Sequence, residues 1–451
     1  MNAAQVNAVQ ARYNQMLADA KKSNSLWGKA QNTEAANLTS DIVNLILTEA
    51  ISVRASDIHI EPRIKNTHIR YRIDGKLHDI LEVAEDTNIH IIPRLKILAE
   101  LPTDPGSSKK AWDGRFTMEV LKQKFDFRVS TLPTVLGDKI AIRILNKDSE
   151  IINLKRIGLN PKSYATLETI FLRKRGLIIV SGPTGAGKTT TLYSILHRLH
   201  TPDVNIITLE NPVEYQIDGI NQCDVNKKNS ETFSSGLRVA LRQDPDIILI
   251  GEIRDLESAE IAIRASITGH LVMTSLHANS ALGSVARLIN MGLERHMVSY
   301  ALTGAVSQHL IPRICEACRT PYKIDMPLFN KICIQCGIDP DFLIYNINKT
   351  QQGTVQYLSE NEKVPVELIF YKGTGCPKCL GTGYSGRIGI FEVIQFTEDL
   401  REAIVNNVSI SEMENIAVKK GFQSLASDAI QKAIDGTVHF DDIYPILLEK
   451  S

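Results

Sequence analysis

Residues 177–190 read LIIVSGPTGAGKTT, and no other stretch limits the fold of this 451-residue chain as strongly. Four apolar residues, Leu177 to Val180, predict a short buried strand; Gly182, Gly185 and Gly187 free the backbone to curl after it. From Thr189 to His200 the spacing of Leu192, Ile195, Leu196 and Leu199 predicts a helix. Strand, glycine loop and helix in that order turn a match to G-x-x-x-x-G-K-[ST] into an expected phosphate-binding loop. Its members are Gly182, Pro183, Thr184, Gly185, Ala186, Gly187, Lys188, Thr189 and Thr190. Backbone N–H groups and the helix N-terminus meet phosphate oxygens there. Lys188 reaches the β- and γ-phosphates, and the Thr189 hydroxyl sits on Mg²⁺. The chain is expected to bind a nucleoside triphosphate.

Its length allows roughly three domains of 100–200 residues. Lys+Arg and Asp+Glu stand at 51 each, which argues against the basic surface of a nucleic-acid motor. No apolar run reaches the length of a membrane span and no signal peptide is present, so the expectation is a soluble, cytosolic chain touching a membrane only through a partner.

Composition and periodicity divide the chain. Residues 1–38 form a polar arm; 39–148 an α+β domain that opens on the stripe Ile42, Val43, Ile46, Leu47, Ala50, Ile51; and 149–160 a linker. Residues 161–310 carry βα units, 311–390 are cysteine-rich, and 391–451 are a helical C-terminal region.

Beyond the loop, TLENPVEY ends a strand in Glu210 and Glu214, and the apolar strand Ile247 to Ile250 delivers Glu252 to the edge where ligands sit in parallel α/β sheets. Glu252 is expected to orient or deprotonate the attacking water, directly or through Mg²⁺. In TGHLVMTSLHANS, one strand separates His270 from His277; His277 is read either as a sensor of the γ-phosphate or as a packing residue.

Six of the seven cysteines form C-x-x-C pairs: Cys315/Cys318, Cys333/Cys336 and Cys376/Cys379. Such pairs suit a reducing compartment and a structural Zn²⁺, which takes four thiolates and leaves one pair spare. Spacing alone favours the first two pairs.

SDIHIEP, RYRIDGK, STLPT, GPTGAGKTTTLY, ENPVEY, LRQDPDIILIGEIRD, TGHLVMTSLHANS and GYSGRIGIFEV, in this order over about residues 39–446, closely resemble the ATPases of type II secretion and type IV pilus assembly. The resemblance implies an α/β architecture: a RecA-like P-loop ATPase domain behind a PAS-like domain, an inserted tetra-cysteine zinc subdomain and a helical C-terminal region. It implies a homo-hexamer, with ATP, Mg²⁺ and Zn²⁺, whose domain motions drive an inner-membrane platform protein from the cytoplasmic side, peripherally and without nucleic acid. The family's acidic box falls on Glu210 and Glu214, its Walker B glutamate on Glu252, and its histidine box on His270 and His277. By family position the zinc ligands are Cys315, Cys318, Cys376 and Cys379, with about residues 329–355 an insertion. Among arginines of the first domain, Arg94 and Arg115 are the expected arginine fingers, while Arg70 and Arg72 read equally as structural.

Three departures stand out. Glu210-Asn211-Pro212 replaces the usual Glu-Asp-Pro, leaving the box's metal role to Glu210. Some 38 residues precede the matched region where larger members carry an N-terminal docking domain, so recruitment through such a domain is not expected. The segment PTDPGSSKKA before Trp112-Asp113-Gly114-Arg115 also departs from the family pattern. The favoured function is a motor for pilus assembly or protein secretion; the cysteines weigh against the retraction branch, which lacks them. The alternatives are a RecA-family nucleic-acid motor and a catalytically weak scaffold.

Overall fold

In the first 150 residues, apolar side chains recur at helical spacing and then at every second position, the pattern of a helix laid on a half-buried sheet. The computed structural model describes residues 3–22, 32–104, 110–120, 122–146, 153–225, 232–324, 326–335, 340, 357–359, 362–365 and 368–448. Cys336, most of the expected insertion, residues 149–152 of the expected linker and 105–109 of the divergent segment lie outside these. The chain divides into two compact units: Met1–Asp148 with Ile314–Thr320 and Gly373–Gly386, and Ser149–Arg313 with Pro321–Lys372 and Arg387–Ser451.

The first unit contains α1 (Ala3–Lys22), α2 (Asn32–Ser52), β1 (Ala55–Pro62), β2 (Thr67–Ile73), β3 (Lys76–Val83), α3 (Glu85–Leu98), β4 (Trp112–Val120), β5 (Gln123–Thr134) and β6 (Gly137–Asn146). Its sheet runs β3-β2-β1-β6-β5-β4, antiparallel throughout. Asp74 and Gly75, both at positive φ, make the tight turn between β2 and β3 that the Asp-Gly pair predicts. The α2 stripe Ile42, Val43, Ile46, Leu47 and Ala50 is buried with Ile58, Ile60, Ile69 and Tyr71 of the sheet, and Tyr71 donates its hydroxyl hydrogen to Ile46 O at 2.7 Å. The residues expected as a polar arm include α1, whose Val9 and Tyr13 are buried in this same core. Val6, Met16 and Leu17 pack against the same core, so one face of the helix is apolar at helical spacing.

Gly114 explains part of the Asp-Gly-Arg motif: a Cβ there would lie 2.3 Å from Ala99 O and 2.8 Å from Leu101 Cδ2. Gly114→Ala is therefore expected to destabilise the protein by about 1–3 kcal/mol, read as a lower denaturant midpoint; an unchanged midpoint would refute the close approach.

Arg70 is structural. It bonds Glu61 at 2.7 Å, and Lys139 reaches the same carboxylate at 2.8 Å. Burial raises the Glu61 pKa, but the hydrogen bonds from Arg70 and Lys139 outweigh it and hold the carboxyl at about 2. A depressed folded-state pKa gives stability that is present above about 4.5 and lost as pH falls towards 2. Glu61→Gln should therefore lower stability at pH 7 by about 1–2 kcal/mol and flatten the acid limb between those values, checked by thermal melts across pH.

The second unit begins with α4 (Pro161–Phe171), whose first turn is capped by Asn160. Then come β7 (Gly176–Ser181), α5 (Lys188–Leu199), β8 (Ile206–Glu210), β9 (Asn221–Asp224), α6 (Phe233–Ala240), β10 (Ile247–Ile250), α7 (Leu256–Ile267), β11 (Leu271–Leu276), α8 (Ala281–Asn290), α9 (Arg295–Ala301) and β12 (Leu302–Ile314). After the short elements β13 (Arg319–Ile324), α10 (Met326–Gln335), β14 (Tyr357–Ser359), β15 (Glu362–Pro365) and β16 (Leu368–Gly373), β17 (Tyr384–Gln395) returns to the main sheet. Helices Glu398–Val405, Ile410–Lys419, Leu425–Ile434 and Phe440–Leu448 follow.

The main sheet runs β17-β12-β7-β11-β10-β8-β9, and the six strands from β12 to β9 are parallel. Its central strands β7, β11 and β10 are largely apolar and buried from end to end, because both faces are covered there. Leu177, Ile179, Ile248, Ile250 and Val272 enter one core; Ile178, Val180, Ile247, Leu249 and Met273 enter the other.

Candidate nucleotide site and cysteine cluster

Parallel strands carry their carboxyl ends to one edge, so the strand order decides which loops meet. Register pairs Leu276 with Ser181, Thr274 with Ile250, and Ile250 with Leu209. Along this edge the order is the glycine loop, His277, Glu252 and Glu210. His277 is exposed there, just ahead of α8. His270 is not brought to that edge: it precedes β11, its carbonyl accepts Gly176 N–H at 3.0 Å, and its Nδ1 lies 3.0 Å from Ala265 O. The six residues of β11 separate the two histidines by roughly 20 Å, so the structure places His270 at the opposite, amino end of the strand.

Gly182 has φ +140 and its missing Cβ would fall 2.3 Å from Gln308 O; Gly185 has φ +80 at an exposed bend. Pro183 and Thr184 are exposed beside it, Ala186 is buried, and Thr189 and Thr190 are half-buried on the first turn of α5. Helices α4, α6, α7 and α8 are capped by the side chains of Asn160, Thr232, Asp255 and Ser280, whereas α5 starts from Gly187, which has no side chain to offer. Its first N–H groups are left for an anion. Lys188 Nζ donates to Gly182 O at 2.7 Å and Pro183 O at 3.0 Å. Burial pushes its pKa below the ordinary lysine value, opposed by the Glu252 carboxylate.

Glu252 follows Gly251 off β10 and pairs with Arg254. Glu210 is buried and already engaged: it accepts hydrogen bonds from Tyr193 OH, from Thr208 Oγ1 at 2.7 Å and from Gln222 Nε2 at 3.4 Å. Burial raises its pKa, and Glu214, half-buried on the following loop, adds to the rise. Sequence reading missed Tyr193, Gln222, Arg254 and Gln308. None of the four carries a local signal; Gln308 sits between Ser307 and His309, and only its burial in β12 sets it apart.

Arg94 lies on α3 with its Nε buried and without a hydrogen-bond partner among the described residues. Arg115 is exposed on β4, in register with Arg128 and, beyond it, Arg143; Arg143 and Arg72 share Asp57 at 3.2 and 3.7 Å. Asp57 lies in the same cross-strand row, between Arg143 and Arg72, and offsets part of the like-charge repulsion there.

Cys315, Cys318, Cys376 and Cys379 converge, with all four sulfurs within 4.8 Å of one another. Cys315 and Cys376 are 3.8 Å apart, Cys318 and Cys379 3.8 Å, and Cys376 and Cys379 3.7 Å. Four thiolates about 2.3 Å from a tetrahedral zinc have edges of about 3.8 Å. Their two segments are stitched together by Cys315 N to Gly383 O at 2.9 Å and Thr374 N to Cys318 O at 3.1 Å. Burial raises the Cys379 thiol, yet amide N–H groups of Cys376 and Gly383 hold it at about 6, while burial pushes Cys315 up and Cys318 to about 11; a cation bound among them would favour the thiolate in all four. Cys333 is instead buried in the second unit's core with Phe329 and Phe370.

A parallel sheet with an uncapped glycine loop at its carboxyl edge defines a phosphate-loop nucleotide-binding protein. The family model described as Type II/IV secretion system protein matches residues 31–444. The chain is 38% identical over 417 residues to the Putative type II secretion system protein E of Escherichia coli K12, spanning 91% of this chain and 77% of that one. Identity is 37% over 409 residues to Type II secretion system protein E of Pseudomonas aeruginosa, covering 91% and 75%. To the Type IV pilus assembly ATPase PilB of Myxococcus xanthus it is 38% over 404 residues, covering 89% and 66%. The crystal structure of the pilus retraction motor PilT with bound ADP aligns at 25% identity and TM-score 0.57, covering 91% of this chain and 96% of that one. The Legionella pneumophila ATPase DotB shares the fold at TM-score 0.62 and 19% identity, covering 91% and 96%. The chain belongs to the type II/IV secretion system protein family, a family of ATP hydrolases. No described helix is long and apolar enough to cross a membrane.

Proposed function

We propose that this protein is a mechanochemical ATPase of a type II secretion or type IV pilus assembly machine. On this reading the second unit is a RecA-like domain and the first a PAS-like domain. The chain works as a homo-hexamer on an inner-membrane platform protein, peripherally and from the cytoplasmic side. The observation that supports it most is the order of the glycine loop, His277 and Glu252 on neighbouring strand ends.

The roles follow from these positions. Loop amides and Lys188 hold the β- and γ-phosphates, Glu252 orients or deprotonates the attacking water, and His277 senses loss of the γ-phosphate. The oxygen donors Thr189 and Glu252 suit a hard cation, and Mg²⁺ held there would neutralise phosphate charge. Glu210, bonded by three protein donors, is assigned to bracing the edge rather than to the metal directly; Glu214 stays with that acidic box. Zinc in the cysteine cluster would be structural, and the quartet favours assembly or secretion over retraction.

The test is phosphate release by wild type, Lys188→Ala and Glu252→Gln. In the same assay Arg94→Ala and Arg115→Ala are expected to lower kcat while keeping nucleotide affinity, as arginine fingers do. No turnover in wild type assayed with its membrane partner would overturn the enzyme reading.

A further inference from the structure

Gln308 is 2% exposed in strand β12, and both ends of its amide are used. Its Nε2 donates to Ala186 O at 2.6 Å, and its Oε1 accepts from Thr191 Oγ1 at 2.7 Å. The Ala186 carbonyl can only accept, which sets the orientation of the amide. Backbone packs there too, since Gln308 O occupies the space that a Cβ at Gly182 would need. One side chain from β12 thus spans the end of the glycine loop and the first turn of α5.

Peptide planarity gives this bond a directional consequence. In a trans peptide the carbonyl of residue 186 and the N–H of residue 187 point to opposite sides of the chain. Fixing Ala186 O towards β12 therefore turns the Gly187 N–H away from it. Gly187 has φ +87 and no side chain to resist a flip of that peptide. The bond from Gln308 Nε2 to Ala186 O supplies that orientation from outside the loop.

We propose that Gln308 is a positioning residue of the nucleotide site, holding the 186–187 peptide so that the Gly187 N–H faces the phosphates. The inference rests on the reading of the loop as an ATP site. An amide that merely filled a polar gap in the core would affect stability, whereas an orienting amide sets affinity for phosphate.

The measurements are equilibrium binding of a fluorescent ATP analogue, steady-state kcat and KM, and helical content by circular dichroism. Gln308→Leu keeps the bulk and removes the donor, leaving a buried carbonyl unpaired; affinity should fall roughly 5- to 150-fold. KM should rise by a similar factor while kcat at saturating ATP changes far less. Gln308→Glu adds a readout that a structural role would not move. Ionised, it offers Ala186 O no donor and binds as weakly as the Leu variant. Protonated, a state that burial favours, it donates to that carbonyl, so its affinity relative to wild type should recover between pH 8 and pH 6.

Unchanged affinity in folded Gln308→Leu overturns the inference. Should that variant lose its helical signal, a pH-independent affinity ratio in Gln308→Glu overturns it instead. Lys188→Ala separates the two levels: if it binds the analogue as wild type does, the ATP-site reading itself fails. Weakened binding in Lys188→Ala with normal binding in both Gln308 variants removes the positioning role alone.

Discussion

Glu252→Gln is expected to lower kcat roughly 10²–10⁴-fold while leaving ATP binding close to wild type. Glu252 stands on the turn after β10, one strand from the acidic box and two from the glycine loop, where a water attacking a bound γ-phosphate would lie. Its carboxylate is partly exposed and pairs with Arg254, so the variant keeps shape and loses only the charge needed to orient or deprotonate that water. Lys188→Ala should behave differently, because on the proposed reading Lys188 holds phosphate in the ground state as well as in the transition state. Both affinity and turnover should fall, the latter roughly 10²–10³-fold. Phosphate release together with fluorescent-nucleotide titration distinguishes the two. Wild-type turnover in Glu252→Gln would sink the assignment, and equal binding loss in both variants would mean that Glu252 is a ligand rather than a base.

The second large effect concerns the cysteine quartet. Purified protein should hold about one zinc per chain, and Cys376→Ser or Cys318→Ser should abolish most of it, because a closed tetrahedral site loses its affinity with one ligand. Cys333→Ser should keep the metal, since Cys333 lies in the second unit's core, and Cys223→Ser should keep it because Cys223 is exposed and outside the cluster. Elemental analysis reads the result directly. Limited proteolysis should then cut within 314–320 or 373–386, two segments tied to the first unit by Arg54 to Ser385 at 3.2 Å and by Lys76 over the Tyr384 ring. Zinc retained in Cys376→Ser, or lost in Cys333→Ser, would reverse the ligand assignment.

How far these sites could be read beforehand varied with the range of the interaction. The glycine loop and the α2 stripe are local patterns: glycines free to take positive φ and a 3.6-residue period leave their mark within a dozen residues. Histidine placement was half legible. The length of β11 separates His270 from His277, but only the sheet order places His277 beside the loop. For the cysteines, spacing pointed to Cys333/Cys336 as partners of Cys315/Cys318, and local spacing is a poor guide when chain segments 61 residues apart are brought together. Glu210 looked like an available carboxylate because Tyr193, Thr208 and Gln222, which occupy it, come from three different elements.

Residue order alone was enough for a nucleotide loop on an α/β sheet, an α+β domain before it, and a helical tail, since each depends on backbone preferences and short-period burial. Tertiary structure decided which strand ends are neighbours, that α1 seats Val9 and Tyr13 in the first core, and that Gln308 reaches the loop from β12, and it brought together the four cysteines that family resemblance, rather than spacing, had named. Those contacts join residues up to 126 positions apart, as in the pairing of Ser307 with Ser181. They follow from the parallel order of buried strands and the packing of side chains across them, which no local pattern encodes.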